Sequence, residues 1–438
     1  MRGARWVGAG LADQFVVACA NAGNTVLALL VLDRDRSGIM LQSLALAYVV
    51  MFLNRAFVGD VLLTLASRYE GERRDRLVRN GLATAVMFAA AAAVVLLAAW
   101  AFWPRSADVN LTDLVWVAPF LPFLLLQDTG RFSYLADRRP GEALVVDLVA
   151  VGTQAACVAV MLLAGQRGAG GLFMSWGIGA AAGAAVFLLR TGLRPWRGRP
   201  LRWFAETRQL SGWFTATAII GQFQVLAVTF LVSHQLSSVA FSGLRAAQTA
   251  LVQPVQNFLM AVQGLVVPRA SRLAGDAGRL PVAEGAQAAA ALRRLTVKLV
   301  LAFTGLAVVT VLVAWPLAAF VLVRFAKFAD IEPLALPMAL QSGIYMVQLP
   351  FTAALRAMHR ARMLFAQYVL FTTVSLAGLV VGAGAGGLVG AAWGLTTGAA
   401  AGLVAMAGLY WYSLRFLGAA EPERDADEEQ AADAATLA

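Results

Sequence analysis

Apolar stretches of twenty or more residues recur along the chain, and the clearest runs from Gly81 to Trp103. A helix of that length spans the hydrocarbon core of a bilayer, whereas strands of outer-membrane barrels alternate apolar and polar residues over about ten positions. Of the 438 residues, 60% are hydrophobic and 14% are charged. A soluble domain could not bury so much apolar surface. The sequence therefore predicts an all-α polytopic membrane protein and argues against a soluble enzyme, a nucleic-acid-binding protein and a disordered chain.

Twelve membrane spans account for the apolar pattern. If the N-terminus is cytoplasmic, most of the 35 Lys and Arg residues fall in the inner segments and few fall in the outer ones. Lys and Arg concentrate in cytoplasmic loops, so we expect a multi-pass protein of the plasma membrane with both termini in the cytoplasm. The predicted spans are 12–32, 39–67, 80–103, 111–136, 142–164, 170–190, 211–232, 238–268, 295–323, 331–356, 362–383 and 386–416.

The spans form two groups of six, separated by a segment rich in Arg and Trp. The second span of each group ends in Ala-Ser-Arg, at 66–68 and at 270–272, followed after two residues by Gly and an acid. Six plus six spans suggest parallel repeats, an architecture typical of transporters. The predicted organisation is an N-terminal six-helix bundle over 1–190, a basic cytoplasmic linker over 191–210, a C-terminal six-helix bundle over 211–416 and a disordered acidic tail over 417–438.

Polar residues follow single helical faces in spans one, seven, eight and ten. Such side chains avoid lipid, so they either hydrogen-bond to neighbouring helices or line a hydrated cavity. Stripes that run through most of the membrane depth favour a shared cavity between the two halves. The candidate cavity residues are Asn21, Asn24, Gln222, Thr249, Gln256, Gln263, Gln341 and Gln348.

Two arginines, Arg55 and Arg245, lie inside spans, where a charge is costly. Asp60 is turned about 140° from Arg55 around the helix, which makes it a poor partner. Arg55 therefore needs an acid on another helix or an anionic ligand, and an arginine fork suits phosphate. If transport is coupled to protons or sodium, Asp13 and Asp60 are the candidate carboxylates.

A cluster of charged residues lies where spans four and five meet on the cytoplasmic side. It includes Asp128, Arg131 and Asp147, which could form a cytoplasmic gate or a packed group of ion pairs. Gln127 precedes Asp128 on the same helix.

Catalytic and cofactor motifs are missing from the sequence. The outer loops are short, the phosphate-binding motif of ATPases is absent and no metal-ligand cluster is visible. We therefore expect neither an enzyme nor a cofactor or metal site.

Around residues 126–147 the chain resembles a known superfamily. The segment 126–132, the Arg138-Arg139-Pro140 turn, Ala143 and Asp147 are similar to the multidrug/oligosaccharidyl-lipid/polysaccharide exporters, and within them to the polysaccharide-transport and oligosaccharide-lipid flippase branch. The resemblance implies a fold shared with drug and toxin exporters, alternating access between two bundles, and a cationic cavity lined by spans one, two, seven and eight. It also implies a polyprenyl-diphosphate-linked glycan as substrate.

The leading hypothesis is therefore a lipid-linked glycan flippase or polysaccharide exporter in which Arg55 and Arg245 attract the diphosphate. Its expected partners are membrane lipids, the lipid-linked glycan and glycan-assembly proteins, with no nucleic acid. The alternative is a cation-coupled multidrug exporter of the same fold. A membrane glycan polymerase or ligase and a non-transporting scaffold are further alternatives.

Overall fold

The structure is a computed structural model that describes residues 2–102, 112–236, 238–279, 281–324 and 332–415. Over these residues the chain is helical and contains no strand, which confirms the predicted fold class. Twelve helices coincide with the twelve predicted spans. They are α1 (Arg2–Val31), α2 (34–68), α3 (Gly71–Phe102), α4 (114–136), α5 (Pro140–Leu163), α6 (Ala169–Thr191), α7 (Pro200–Gln235), α8 (238–279), α9 (Val282–Arg324), α10 (Ala335–Ala357), α11 (361–385) and α12 (388–414).

Seven helical segments among the described residues are long and apolar enough to cross a membrane, with α11 and α12 forming one of them. These segments include α2, α3, α5, α6, α7 and α9. The remaining helices, α1, α4, α8 and α10, carry most of the candidate site residues, and their polar side chains lower their hydropathy. The chain is thus a multi-pass membrane protein whose more polar helices need partners or water.

Two helices contain a π-helical turn. In α2 the turn spans Arg55–Gly59, between helical segments Arg34–Asn54 and Asp60–Leu65. In α8 it spans Gln248–Val252, just before Pro254. Proline has no N–H to donate, and an inserted residue is one way to accommodate it inside a helix. Each π turn rotates all later side chains of its helix around the helix axis. Arg55 is the first residue of the π turn in α2.

The turn between α4 and α5 has the same conformation as the turn between α10 and α11. Arg138 and His359 occupy equivalent positions with positive φ angles of 59° and 56°. In both turns this residue donates its N–H to the carbonyl three residues back, and the next residue donates to the carbonyl five residues back at 2.9 Å. This helix-ending motif satisfies the last carbonyls of α4 and α10. Its recurrence at equivalent positions supports the hypothesis that the two halves of the chain are repeats of each other.

The connection between the two groups of six helices is shorter than predicted. The segment 191–210 was expected to be a linker, but α7 already begins at Pro200. Trp203 is fully buried, and the Arg199 N–H donates to Asn80 Oδ1 on α3 at 2.9 Å. Trp203 therefore forms part of the core, whereas Trp196 is exposed. The predicted tail, 417–438, lies outside the described residues.

A glycine-rich turn connects α11 to α12 and lets the two helices pack backbone against backbone. Gly387 has a φ of +58°, which favours glycine. Further along, a Cβ at Gly390 would lie 2.0 Å from the backbone oxygen of Gly382. Only glycine permits so close an approach.

The buried apolar residues show how the two halves meet. We call the side at which α2, α4, α8 and α10 end the basic side. There a single core joins the halves, because Leu62 and Tyr134 belong to the same cluster as Phe351 and Tyr410. Towards the opposite side, each half has a core of its own. The halves are therefore packed together on the basic side and have separate cores away from it.

Candidate functional site

A buried group of ion pairs lies in the N-terminal half, centred on Arg131 of α4. Its guanidinium lies 2.9 Å from Asp13 of α1, 3.1 Å from Asp147 of α5 and 3.8 Å from Asp128. The Arg131 and Asp13 side chains are 3% and 0% exposed. Nε and Nη2 of Arg131 both donate to Asp13 Oδ2, at 3.0 and 2.9 Å. One arginine therefore ties together α1, α4 and α5.

Arg55 belongs to the same group. Its Nε and Nη2 donate to the two carboxylate oxygens of Asp128, each at 2.9 Å. The sequence required either an acid on another helix or an anionic ligand for Arg55, and the structure has the acid. The poor geometry predicted for Asp60 also holds, since Asp60 pairs with Arg356 at 2.8 Å. We refer to Asp13, Arg55, Asp128, Arg131 and Asp147 as the N-half cluster.

The N-half cluster contains three carboxylates and two guanidiniums, so acids exceed bases by one. Asp128 has Arg55 as a close counter-ion, whereas Asp13 and Asp147 share Arg131, whose guanidinium lies 2.9 Å from one carboxylate and 3.1 Å from the other. Two carboxylates that close repel each other strongly if both are ionised. One proton held between them would remove the repulsion and balance the group, so the arrangement is suited to binding a proton.

A cavity of about 60 Å³ opens beside the N-half cluster. Asn21, Gln127 and Gln154 line it together with four residues of the cluster. Gln127 donates to Asp147 at 3.1 Å, and Gln154 hydrogen-bonds to Asn24. Pockets for drug-sized ligands measure about 300–1,000 Å³. This cavity therefore has room for a few water molecules, and it is too small for a drug or a glycan.

The other candidate cavity residues lie in the C-terminal half, away from this cavity. Two of them make contacts within that half, since Gln341 donates to the Tyr345 hydroxyl and Gln348 donates to the Ala399 carbonyl. The Gln348 contact corresponds to the alternative in which polar residues join helices, whereas the Gln341 contact lies within α10. The remaining residues differ in exposure: Arg245 and Gln256 are exposed, Gln222 and Gln263 are half-buried, and the Thr249 side chain lies outside the described residues.

The contacts that cross between the halves on the basic side involve other residues than the predicted gate. Arg272 of α8 donates to the Ser67 carbonyl at 2.7 Å, and Arg68 of α2 donates to the Ala357 carbonyl. The Asp60–Arg356 ion pair described above and a 3.9 Å pair between Arg272 and Glu70 also cross between the halves. We call these crossing contacts the latch. Asp128, Arg131 and Asp147 lie inside the N-terminal half, so they do not form this latch.

The sequence held a signal for this latch. Arg68 and Arg272 are the arginines of the two Ala-Ser-Arg repeats, and each donates to a carbonyl of the opposite half. Gln127 and Gln154, which line the cavity beside the N-half cluster, had a weaker sequence signal, because a single glutamine in a span usually indicates only helix contacts. Among the described residues no group of His, Cys, Asp and Glu has the arrangement of a metal site.

Comparison with solved structures shows that known proteins share the fold of this chain. A Vibrio cholerae MATE transporter, VcmN, in its D35N form, matches with a TM-score of 0.74 over 94% of this chain and 95% of its own, at 13% identity. A MATE protein in complex with MaD3S matches with a TM-score of 0.77 over 95% of each chain, at 9% identity.

The chain has the MATE fold. A Pyrococcus furiosus transporter of the MOP superfamily, described as having a binding pocket of reversed polarity, also matches, with a TM-score of 0.75 over 94% of this chain and 95% of its own, at 9% identity. No family model matches the sequence, and no curated protein matches it. The superfamily architecture implied by the resemblance is therefore present in the fold, whereas the glycan branch is not distinguished by it.

Proposed function

We propose that the chain is a membrane transporter, not an enzyme, that works by alternating access between its two halves and is driven by protons. The observation that carries this proposal is the acid-rich N-half cluster, which lies between α1, α2, α4 and α5. Charges buried in a membrane protein are costly and mark ion pathways. We place the chain in the plasma membrane with both termini in the cytoplasm, so that the packed basic side faces inwards and the structure is outward-facing.

A proton suits the N-half cluster better than sodium does. Arg131 occupies the space between Asp13, Asp147 and Asp128, and Arg55 holds both oxygens of Asp128. A metal cation would have to displace a guanidinium to gain these oxygens as ligands. A proton needs no such displacement, because it can reside on one carboxyl of the Asp13–Asp147 pair. Losing or gaining it changes the attraction between α1, α5 and Arg131, which gives a physical route to helix movement.

The substrate class that this geometry favours is an organic cation, as in the exporter alternative. Arg55 is neutralised by Asp128, so it no longer supplies half of the expected diphosphate site. The N-half cluster has a formal excess of negative charge if all its groups are ionised, which attracts cations and repels phosphate. Its 60 Å³ cavity excludes the substrate itself, so the substrate would bind between the halves.

One observation keeps the lipid-linked glycan as a second candidate. On α8, Gln253 and Gln256 are exposed, and Arg245 is exposed with no ion pair to an acid among the described residues. Exposed glutamines inside a span must meet water, so this face of α8 would line the cleft between the halves. Amide groups bind sugar hydroxyls, and Arg245 could bind a phosphate.

Transport in proteoliposomes tests the first candidate. With a pH gradient imposed, the wild-type protein should transport a fluorescent organic cation, and Asp13→Asn should abolish gradient-driven transport because it removes one carboxyl of the pair. Asp75→Asn, at a 53% exposed carboxylate, is the matched control and should transport normally. Equal transport by Asp13→Asn and the control would reject the coupling role.

The second candidate needs a different substrate in the same liposomes. A labelled polyprenyl-diphosphate oligosaccharide would be followed by its accessibility to a membrane-impermeant reagent. Flipping that is lost in Arg245→Ala, and kept when Arg167 in a loop is replaced by Ala, would establish the glycan role. An inactive wild-type protein in this assay, alongside active transport of the cation, would remove the glycan candidate.

A further inference from the structure

A large open groove lies on the basic side, between the end of α8 and the beginning of α9. Its volume is about 900 Å³. Arg138, in the turn between α4 and α5, also lines it, so the groove is built from both halves of the chain. Its lining residues are Arg138, Arg269, Arg272, Leu273, Asp276, Gln287, Ala290, Ala291, Arg294, Leu295 and Lys298.

The spacing of these residues explains the groove. On α8 the lining residues lie three, four and seven positions after Arg269, and on α9 they lie three, four, seven, eight and eleven positions after Gln287. This is the spacing of a single helical face, so each helix contributes one face. Ala290 and Ala291 have small side chains, which leaves space between the helices. Leu273 and Leu295 add apolar surface. The groove therefore combines an apolar floor with long cationic side chains.

The groove is strongly cationic. Five of its lining residues are Arg or Lys, and Asp276 is the single acid among them. No ion pair joins Arg269, Arg294 or Lys298 to an acid within the described ranges. Arg272 lies 3.9 Å from Glu70, an 88% exposed carboxylate, which makes a weak pair. Three of the five cations, Arg269, Arg294 and Lys298, therefore carry charge that no ion pair within the described ranges compensates.

The pKa of Arg138 reflects the positive charge gathered in the groove. Burial lowers the pKa of its guanidinium, and the neighbouring Arg272 and Arg269 lower it further. Arg138 is also held in the left-handed conformation of the α4–α5 turn, with a φ of 59°. The fold thus places an arginine of one half against two arginines of the other, an arrangement that an anion between them would stabilise.

The position of the groove along α9 indicates where that anion comes from. Lys298 lies on the apolar segment Ala283–Val313, while the opposite rim reaches the last turns of α8. The groove therefore sits at the level where membrane and water meet. Basic pockets between helices at this level bind phosphate-bearing lipid headgroups.

We propose that the groove binds the phosphate headgroup of an anionic membrane lipid, and that the bound lipid bridges the two halves. Arg269, Arg294 and Lys298 supply the cations of the C-terminal half, and Arg138 supplies the cation of the N-terminal half. The lipid holds the halves together on the basic side, beside the Arg68 and Arg272 latch. This site is separate from the N-half cluster, and its occupancy does not depend on which substrate is transported.

Lipid binding by the purified full chain tests the site. Native mass spectrometry would count bound cardiolipin and phosphatidylcholine on the wild type and on the double variant Arg294→Ala/Lys298→Ala. We expect the double variant to bind cardiolipin at least about tenfold more weakly, because each lost charge-assisted contact weakens binding by about that factor. Arg293→Ala is the matched control, since Arg293 neighbours Arg294 but does not line the groove. Equal cardiolipin affinity in all three proteins would overturn the proposal.

Two further arms separate the source of the phosphate and the bridging role. In the first arm, inorganic diphosphate competes with cardiolipin for the groove. If diphosphate binds as tightly as cardiolipin does, the groove binds a soluble anion and the lipid assignment is overturned. Arg138→Asn keeps a residue that tolerates positive φ. It should weaken cardiolipin binding about as much as removing one C-half cation does. Unchanged binding in Arg138→Asn would place the lipid on the C-terminal half alone and overturn the bridge.

Discussion

Replacing Arg131 with Met should destabilise the protein strongly. Arg131 is 3% exposed and lies within 4 Å of three carboxylates. After the replacement Asp128 keeps Arg55, but Asp13 and Asp147 lose their counter-ion, and a shared proton still leaves one buried negative charge. Removing one partner of a buried ion pair costs about 3–5 kcal/mol, so we expect the free energy of unfolding to fall by that amount.

The second half of the prediction concerns recovery. Asp13→Asn in the Arg131→Met background removes the uncompensated charge, so the double variant should regain about 1–3 kcal/mol relative to Arg131→Met alone. Unfolding by SDS in mixed micelles, followed by circular dichroism, gives the four free energies of this double-mutant cycle. A loss below about 1 kcal/mol in Arg131→Met, or no recovery in the double variant, would refute the account of the N-half cluster.

Three other variants test the fold and the latch. Arg356→Met breaks the partly buried ion pair with Asp60, whose side chains are 18% and 21% exposed, so it should favour opening on the basic side by about 1 kcal/mol. The opening would be seen as increased labelling, by a water-soluble maleimide, of a cysteine placed on that side. Gly390→Ala should lower the melting temperature, because its Cβ would lie 2.0 Å from a backbone oxygen of α11, and an unchanged melting temperature would contradict this packing. Trp203→Ala should lower the free energy of unfolding by about 3–5 kcal/mol, whereas Trp196→Ala, at a 73% exposed residue, should change it little. Equal effects of the two replacements would contradict the burial of Trp203 at the beginning of α7.

Much of the fold could be predicted from local features. Long apolar runs located the helices, and the spacing between Arg55 and Asp60 correctly excluded a pair on one helix. The partner of Arg55 could not be predicted, because Asp128 is 73 residues away in sequence and reaches it only through the packing of α2 on α4. The π turn at Arg55–Gly59 had no sequence signal, since that segment contains no proline.

The candidate site was predicted in pieces rather than as a whole. Asp13 was considered for coupling, Arg55 for anion binding and Arg131 for a gate, and the structure places all three in one cluster. Each assignment relied on the position of a residue along its own helix. Which helices face each other depends on long-range contacts, so the sequence could identify the charged residues without showing that they neutralise one another.

The most direct test of the central claim is infrared spectroscopy of the protein in lipid membranes at neutral pH. The account predicts the carbonyl band of one protonated carboxylic acid, which shifts in deuterated water and disappears in both Asp13→Asn and Asp147→Asn, because either change removes one half of the pair. Asp75→Asn should leave the band unchanged. A spectrum without this band, or a band that survives both replacements, would contradict a proton shared between Asp13 and Asp147.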